Sequence, residues 1–307
     1  MVSQRKNNKP KLIVVLGPTA SGKTSLAVLI AKKFNGEIVS ADSRQIYKGL
    51  DIGTGKATKK EMRGIKHHLL DIENPKKIYD VARYKDLADK AIESILQKGK
   101  LPILCGGTGL YIDAVAKNIA YPNVPQNWKL RESLETKSAD ELFSELKKLD
   151  AKRAKTIDKK NKRRLIRAIE IVRLTGKKID TLKENPKYDV LLLGVKKEPL
   201  ELEALIFKRL IKRIKQGMIA EAKHLHKKGL SYKRMTELGL EYRYLAMLLE
   251  GKIKKNEMIN KLNTKIRQYA KRQMTWFKRD KDIHWVASEK EAEKLISEFI
   301  GKNTLLA

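Results

Sequence analysis

Little in this sequence could hold a fold together covalently. A single cysteine, Cys105, excludes an internal disulfide framework and suits a reducing compartment. It lies inside an apolar run and reads as inert core. Acidic residues are also scarce: 36 Asp and Glu stand against 68 Lys and Arg, a formal net charge of +32. Charge of this size argues about partners rather than fold, and the partner it implies is a polyanion, nucleic acid first. The bland alternative is a lysine-rich background that only keeps the chain in solution. Aromatic residues make up 6 %, yet an apolar fraction of 41 % supports a packed core and argues against disorder. No apolar run reaches the length of a membrane span. Met1 to Lys11 is polar and basic without an apolar centre, unlike a secretory signal. A cytoplasmic chain is the expectation, acting as a monomer. His67 and His68 have no further ligands at metal spacing, so a zinc site is not expected.

What is present begins with Gly17-Pro18-Thr19-Ala20-Ser21-Gly22-Lys23-Thr24. An apolar run, Leu12 to Leu16, precedes it, and a helix-like run, Ser25 to Ala31, follows. Strand, glycine loop and helix thus frame a complete G-x-x-x-x-G-K-[ST] spacing. The glycines let successive N–H groups turn inward onto phosphate oxygens, and the helix N-terminus adds partial positive charge. Lys23 supplies a full charge, and the Thr24 hydroxyl is placed to ligand Mg2+. A ligand carrying a di- or triphosphate binds here. Read alone, the loop says nucleotide, ATP or GTP.

Gly36 to Ala41 reads as a second strand, followed by Asp42-Ser43-Arg44-Gln45. Residues just past a strand's carboxyl end line the ligand crevice of a parallel sheet. Asp42 is therefore a general base, an outer partner of Mg2+, or simply a helix cap. A glycine-punctuated loop, Tyr47 to Lys56, follows. His67 to Ile72 reads as a short strand, Val81 to Gln97 as an amphipathic helix, and Leu101 to Cys105 as a buried strand. That last strand ends in Gly106-Gly107-Thr108 and not in the carboxylate that ATP-hydrolysing phosphate-loop enzymes place there. A transferase, in which the loop holds a substrate or a leaving group, gains over a motor or a GTPase.

From about Ala116 to Lys187 the character becomes helical and basic. Residues 151–183 hold 13 Lys and Arg against three acids. Within them, Leu165, Ile166, Ile169 and Val172 form an apolar stripe while Arg163, Arg164 and Arg167 lie elsewhere on the helix, a surface for a phosphate backbone. Tyr188 to Val195 returns to a buried strand. The expected architecture is α/β: a parallel sheet of the phosphate-loop type with an inserted all-α domain and further C-terminal helices. The expected parts are 1–116 and 188–307 for the core and 117–187 for an inserted, basic helical domain. In the C-terminal part, helices are expected from Leu200 to Gln216, from Ala220 to Lys228 and up to Leu249. Between Lys252 and Lys281, 11 basic residues and two acids are interleaved with Tyr269, Trp276 and Phe277, which suits RNA or a helix docked on the core equally. Ile283 to Val286 reads as a last strand, and Ser288 to Glu291 as a capping box.

The motifs GPTASGKT at 17–24, ADSRQIYKGLDIGT at 41–54, HHLLDI at 67–72, GGTGLYIDA at 106–114, NKRRLIRAIEI at 161–171 and QYAKRQMTWFKRD at 268–280 occur in that order. Together they resemble the tRNA dimethylallyltransferases over nearly the whole chain. The resemblance implies transfer of the dimethylallyl group from dimethylallyl diphosphate to N6 of adenosine 37 in the tRNA anticodon loop, with release of diphosphate. It implies that the phosphate loop, Gly17 to Thr24, cradles the prenyl diphosphate with Mg2+, and that the inserted domain grips the anticodon stem-loop. By the same resemblance Asp42 is the general base, and Arg209 neutralises the leaving diphosphate. Asp42, Ser43, Arg44, Gln45, Thr108, Arg131, Arg163, Arg164, Leu165, Ile166 and Arg167 match positions that contact tRNA.

Two departures stand out. The family usually reads glycine-tyrosine where this chain has Gly239-Leu240-Glu241-Tyr242, and Gly55 stands where it often has alanine, a change expected to be of little consequence. The competing readings are an adenylate prenyltransferase or nucleotide kinase with a small acceptor, which leaves the basic insertion without a purpose, and a non-catalytic RNA-binding protein, which leaves intact Lys23, Thr24 and Asp42 without one.

Overall fold

The computed structural model describes residues 9–122, 124–179 and 184–301. Residues 1–8 of the polar N-terminal run and 180–183 at the end of the basic stretch lie outside the described residues. The chain divides into two compact units, one of residues 1–118 with 186–307, the other of residues 119–185.

The larger unit opens with β1 (Lys11–Leu16), α1 (Lys23–Lys33), β2 (Gly36–Ala41), α2 (Lys59–Met62) and β3 (His67–His68). It continues through α3 (Val81–Gln97), β4 (Leu101–Gly106) and α4 (Gly109–Ala116). The smaller unit holds α5 (Trp128–Glu135), α6 (Ala139–Leu149), α7 (Ala151–Thr156) and α8 (Lys162–Thr175). The larger unit then resumes with β5 (Asp189–Val195), α9 (Pro199–Lys215), α10 (Met218–Lys227), α11 (Tyr232–Leu238) and α12 (Leu240–Leu249). It closes with α13 (Lys255–Phe277), β6 (His284–Val286) and α14 (Glu289–Ile300).

Six parallel strands form one sheet in the order β3-β2-β4-β1-β5-β6. The near-continuous apolar strands follow from burial on both faces. Successive side chains of β1 go to opposite sides: Leu12, Val14 and Leu16 join the core under α3, α4 and the C-terminal helices, while Ile13 and Val15 join the core under α1 and α14. The parallel arrangement delivers the C-terminal ends of β1, β2 and β4 to one edge, where β1 runs into the phosphate loop and β2 into Asp42.

The smaller unit has its own core, in which Leu134, Leu142 and Leu146 pack with Leu165, Ile166 and Ile169. Caps explain its sharp helix starts: Asn127, Ser138, Asp150 and Asn161 each accept from the N–H three residues on.

Three expectations need adjusting. The strand at 67–72 is only His67–His68, because Leu69 and Asp71 take left-handed backbone conformations that break the pleat. A separate helix, α11, precedes α12, and its C-cap Gly239 doubles as the N-cap of α12. At α14 the Ser288 side chain does accept from Glu291 N (3.2 Å), but the Glu291 carboxylate reaches Ala287 N (2.9 Å), so the reciprocal half of the box is displaced by one residue.

Candidate active site

One cleft of about 1060 Å³ in the larger unit gathers residues from the phosphate loop, the Asp42 turn, the 51–62 segment, α9, α12 and α13. In the phosphate loop, left-handed Ala20 (φ 65°) and Gly22 (φ 92°) curl the backbone directly into α1, leaving Lys23 and Thr24 on the first turn of that helix. Among the described residues Lys23 Nζ has only the Pro18 carbonyl (3.2 Å) for a hydrogen-bond partner. Burial, and then the charge of Arg209, hold Lys23 below the ordinary lysine value against the opposing influence of Cys105 and Asp42. Cys105 lies beneath it, its Sγ 3.8 Å from the Lys23 carbonyl, and burial pushes the thiol up to about 12. That keeps it protonated and unreactive.

Across the cleft, Arg209 of α9 donates from Nη1 to the Thr19 hydroxyl (3.2 Å) and from Nη2 to the Gly55 carbonyl (2.9 Å). Burial and the neighbouring Arg213 draw its pKa down, with Glu241, Asp42 and Glu61 acting the other way. Neither Lys23 nor Arg209 has a carboxylate within ion-pair distance among the described residues. Two recessed cations, with Asp42 in the same cleft but no carboxylate paired to either among the described residues, suit an anionic ligand. The hard oxygens near the helix start are the hydroxyls of Thr24 and Ser25, with the Asp42 carboxylate in the same cleft. The described residues hold no group of three His, Cys, Asp or Glu that could bind a metal. A cation here would draw on the Thr24 hydroxyl, water and the oxygens of a bound diphosphate, with Asp42 in the cleft to act on its water, a donor set that Mg2+ accepts.

Asp42 is not a helix cap, since no helix follows β2. It caps a turn: Oδ1 accepts from Arg44 N (2.9 Å) and Gln45 N (3.4 Å), while Oδ2 makes no hydrogen bond among the described residues. The turn is fixed further by Thr108, whose Oγ1 accepts from Ser43 N (3.0 Å). Thr108 sits at the N-cap of α4 but turns its side chain to the Asp42 turn. One carboxylate oxygen is thus used for orientation and the other is left for chemistry.

The structure brings Thr19, Ala20, Gly22, Lys23, Thr24, Asp42 to Gln45 and Arg209 into this one cleft, whereas Gly17, Pro18 and the buried Ser21 do not line it. In the smaller unit the other anticipated residues separate. Leu165 and Ile166 are 0 % and 3 % exposed in that unit's core, which removes their side chains as RNA contacts, because the apolar stripe of α8 is what folds the unit. Arg131 and Arg167 are engaged internally by Glu170, itself fully buried. Arg131 donates from Nε (2.8 Å) and Nη2 (2.7 Å), Arg167 from Nη1 (2.5 Å), and Asn127 N adds a fourth bond (2.7 Å). Burial raises the Glu170 carboxyl, but these bonds outweigh it and leave the pKa lowered. Arg163 and Arg164 remain exposed.

Two parts of the cleft escaped the motif reading. Gln273 of α13 is buried with its amide divided between two loops: Oε1 accepts from Thr19 N (2.9 Å) and Nε2 donates to the Gly107 carbonyl (2.8 Å). Its position inside the 268–280 motif was the available signal. Trp276 donates to Asp113 Oδ2 (2.9 Å), and Phe277 is 3 % exposed, so those aromatics dock α13 on the core, while Tyr269 lines the cleft. The second is Gly55. A Cβ there would lie 2.2 Å from Arg209 Nη2, on a residue with φ +61°, so the glycine in place of alanine is consequential.

The sequence model of the family described as IPP transferase matches residues 45–280. A tRNA dimethylallyltransferase of Anoxybacillus flavithermus is 43 % identical over 90 % of this chain and 89 % of its own. One from Acetivibrio thermocellus is 40 % identical over 93 % of this chain and 95 % of its own. Among solved structures, a tRNA isopentenylpyrophosphate transferase of Bacillus halodurans superposes with a TM-score of 0.71 at 36 % identity, covering 97 % of each chain. A eukaryotic dimethylallyltransferase acting on tRNA gives a TM-score of 0.81 at 28 % identity, over 95 % of this chain and 79 % of that one.

Proposed function

The chain belongs to the IPP transferase family, and on that premise we propose that it moves the dimethylallyl group from dimethylallyl diphosphate to N6 of adenosine 37 in the tRNA anticodon loop. The observation that carries this reading is the pairing, in one cleft, of two recessed cations lacking a carboxylate with a carboxylate that keeps one oxygen free. A site for hydrolysis needs a polarised water. A site for group transfer needs a held leaving group and a base for the incoming nucleophile, and those are the parts present.

In this reading the loop amides, Lys23 and Arg209 hold the diphosphate, and Thr24 with the diphosphate oxygens would hold Mg2+. Bound metal supplies further neutralisation of the leaving group's charge. The carbon–oxygen bond of the donor breaks and its electron pair leaves with diphosphate. The bond from N6 to the allylic carbon forms, and the displaced N6 proton passes to Asp42 Oδ2. An exocyclic amine is a weak nucleophile without such an acceptor, and stabilisation of the departing diphosphate lowers the barrier further. The adenine must leave its stack to reach Asp42. The Asp42 to Gln45 turn with Thr108, and Arg163 and Arg164 on α8, are the RNA contacts this reading retains.

Incubation with labelled dimethylallyl diphosphate, Mg2+ and an unmodified anticodon stem-loop is expected to place the label in RNA. Label in AMP or ADP instead would move the acceptor to a small nucleotide. RNA binding without transfer to either acceptor would leave a binding protein.

A further inference from the structure

Glu221 of α10 takes no part in the reaction set above, yet its carboxylate is fully engaged. Oε2 accepts from Asp51 N (3.0 Å) and Ile52 N (2.7 Å), and Oε1 accepts from Gly53 N (2.8 Å) and the Tyr242 hydroxyl (2.6 Å). Three consecutive amides converging on one group form a nest, which selects an anion. The segment they belong to, 51–55, turns carbonyls toward two arginines of α9. The Gly53 carbonyl accepts from Arg213 Nη1 (2.8 Å), and the Gly55 carbonyl accepts from Arg209 Nη2 (2.9 Å). Arg213 Nη2 also reaches Glu241 Oε1 (2.9 Å), on the same helix as Tyr242. Glu221 therefore ties the 51–55 segment to α10 and α12 on one side, and the segment aims the α9 guanidinium groups on the other.

We propose that Glu221 is a positioning residue of the donor site, acting through the 51–55 segment to hold the Arg209 guanidinium where the diphosphate departs. The proposal rests on the reading of Arg209 as the leaving-group cation. A carboxylate is required because four donors converge and only two oxygens without hydrogens can serve them. A glutamine has a single acceptor oxygen, and its NH2 would face N–H groups. Part of the nest would be left unpartnered, freeing the segment to shift, and Arg209 has no carboxylate of its own to hold it in place. Misplacement of a charged group by a fraction of its contact distance is costly because the transition state rewards alignment.

The test uses the full chain, labelled dimethylallyl diphosphate and an anticodon stem-loop, with Glu221→Gln, Glu221→Asp, Arg209→Gln and the Glu221→Gln/Arg209→Gln double variant. Glu221→Gln is expected to lower kcat/KM for the donor by about 10²-fold, with RNA affinity unchanged and with the loss persisting well below its melting temperature. In the Arg209→Gln background the same change is expected to cost little more, because the guanidinium it positions is gone. A Glu221→Gln protein that melts earlier but keeps normal donor kinetics when folded overturns the proposal, as does full additivity with Arg209→Gln. If Arg209→Gln itself leaves donor kinetics intact, it is the reading of Arg209 that fails. Should Glu221→Gln not fold, Glu221→Asp decides: the charge is kept and the reach shortened, so donor KM should rise, and a normal KM overturns the proposal.

Discussion

Arg209 in the α/β unit and Arg131 in the inserted unit are both partly buried arginines, and both were marked by resemblance as functional. Their surroundings differ in one respect. Arg131 makes a two-pronged bond to Glu170, which also takes Arg167 and a backbone amide, so both guanidinium groups share one counter-charge within the unit. Among the described residues Arg209 bonds a hydroxyl and a carbonyl and no carboxylate, and Lys23 bonds a carbonyl. A sheltered charge without a counter-charge is unfavourable, and it persists where a ligand supplies the missing sign. A cation with a buried counter-charge of its own holds segments together. In the proposed reading the cations of the cleft serve the reaction, and those around Glu170 the fold of their unit.

The strongest way to break this comparison is at the carboxylate that faces the cleft cations. Asp42→Asn should lower kcat by about 10³-fold while RNA affinity is kept. Turnover at the unaltered rate, measured with labelled donor, would remove Asp42 as the base. Next in size, Lys23→Ala should raise donor KM by about 10- to 100-fold, the worth of a charged hydrogen bond. The same lysine gives a pH signature. Burial and Arg209 hold it below 10.5, and in the proposed reaction the diphosphate would bind its protonated form. Donor KM should therefore climb with rising pH before 10.5 is reached, and a KM flat through that range would show that Lys23 does not carry the donor's charge.

The inserted unit should respond differently. Glu170→Ala leaves Arg131 and Arg167 without their acceptor and should cost about 1–3 kcal/mol of stability, read by denaturant melting. Arg163→Ala or Arg164→Ala should leave stability alone and instead lower the salt slope of RNA binding by about one each. If Arg131→Ala behaves like Arg163→Ala, the division into architecture and RNA surface is mistaken. A further effect lies away from the cleft, at Glu37 on β2 beside the edge strand β3. Burial raises the Glu37 carboxyl, but hydrogen bonds from Lys100 and His68 and the charges of Lys100 and Lys98 bring it down to about 2. A depressed carboxyl stabilises the fold above its ordinary value of 4.5 and loses that contribution as pH falls toward 2. Glu37→Gln should thus lower stability at pH 7 and flatten its acid dependence, as followed by melting from pH 7 to 2.

The sheet and the phosphate loop were legible because their signals are local. Apolar runs bounded by glycine give β1, β2 and β4 nearly to the residue, the period of Val81 to Gln97 gives α3, and a fixed spacing gives the loop. Asp42 was found by its place after a strand. The basic run of α8 misled for the same reason: charge and spacing are visible in sequence, but counter-charge is not. Nothing local tells that Arg131 meets Glu170, 39 residues away, whereas the apolar stripe of Leu165 and Ile166 was visible in the helical period and stands against their assignment as RNA contacts.

By itself, then, the sequence determined a parallel α/β core, a glycine loop running from β1 into α1, a helical insertion and a family. Tertiary structure decided which charges are spent and which are free. Gln273 meets Thr19 across 254 residues, and Glu221 meets the 51–53 amides across nearly 170, in bonds that exist only once the C-terminal helices pack on the sheet edge. Motif spacing records what the chain places next to itself, whereas the field felt by Lys23 and Arg209 depends on desolvation and on groups brought together from remote segments.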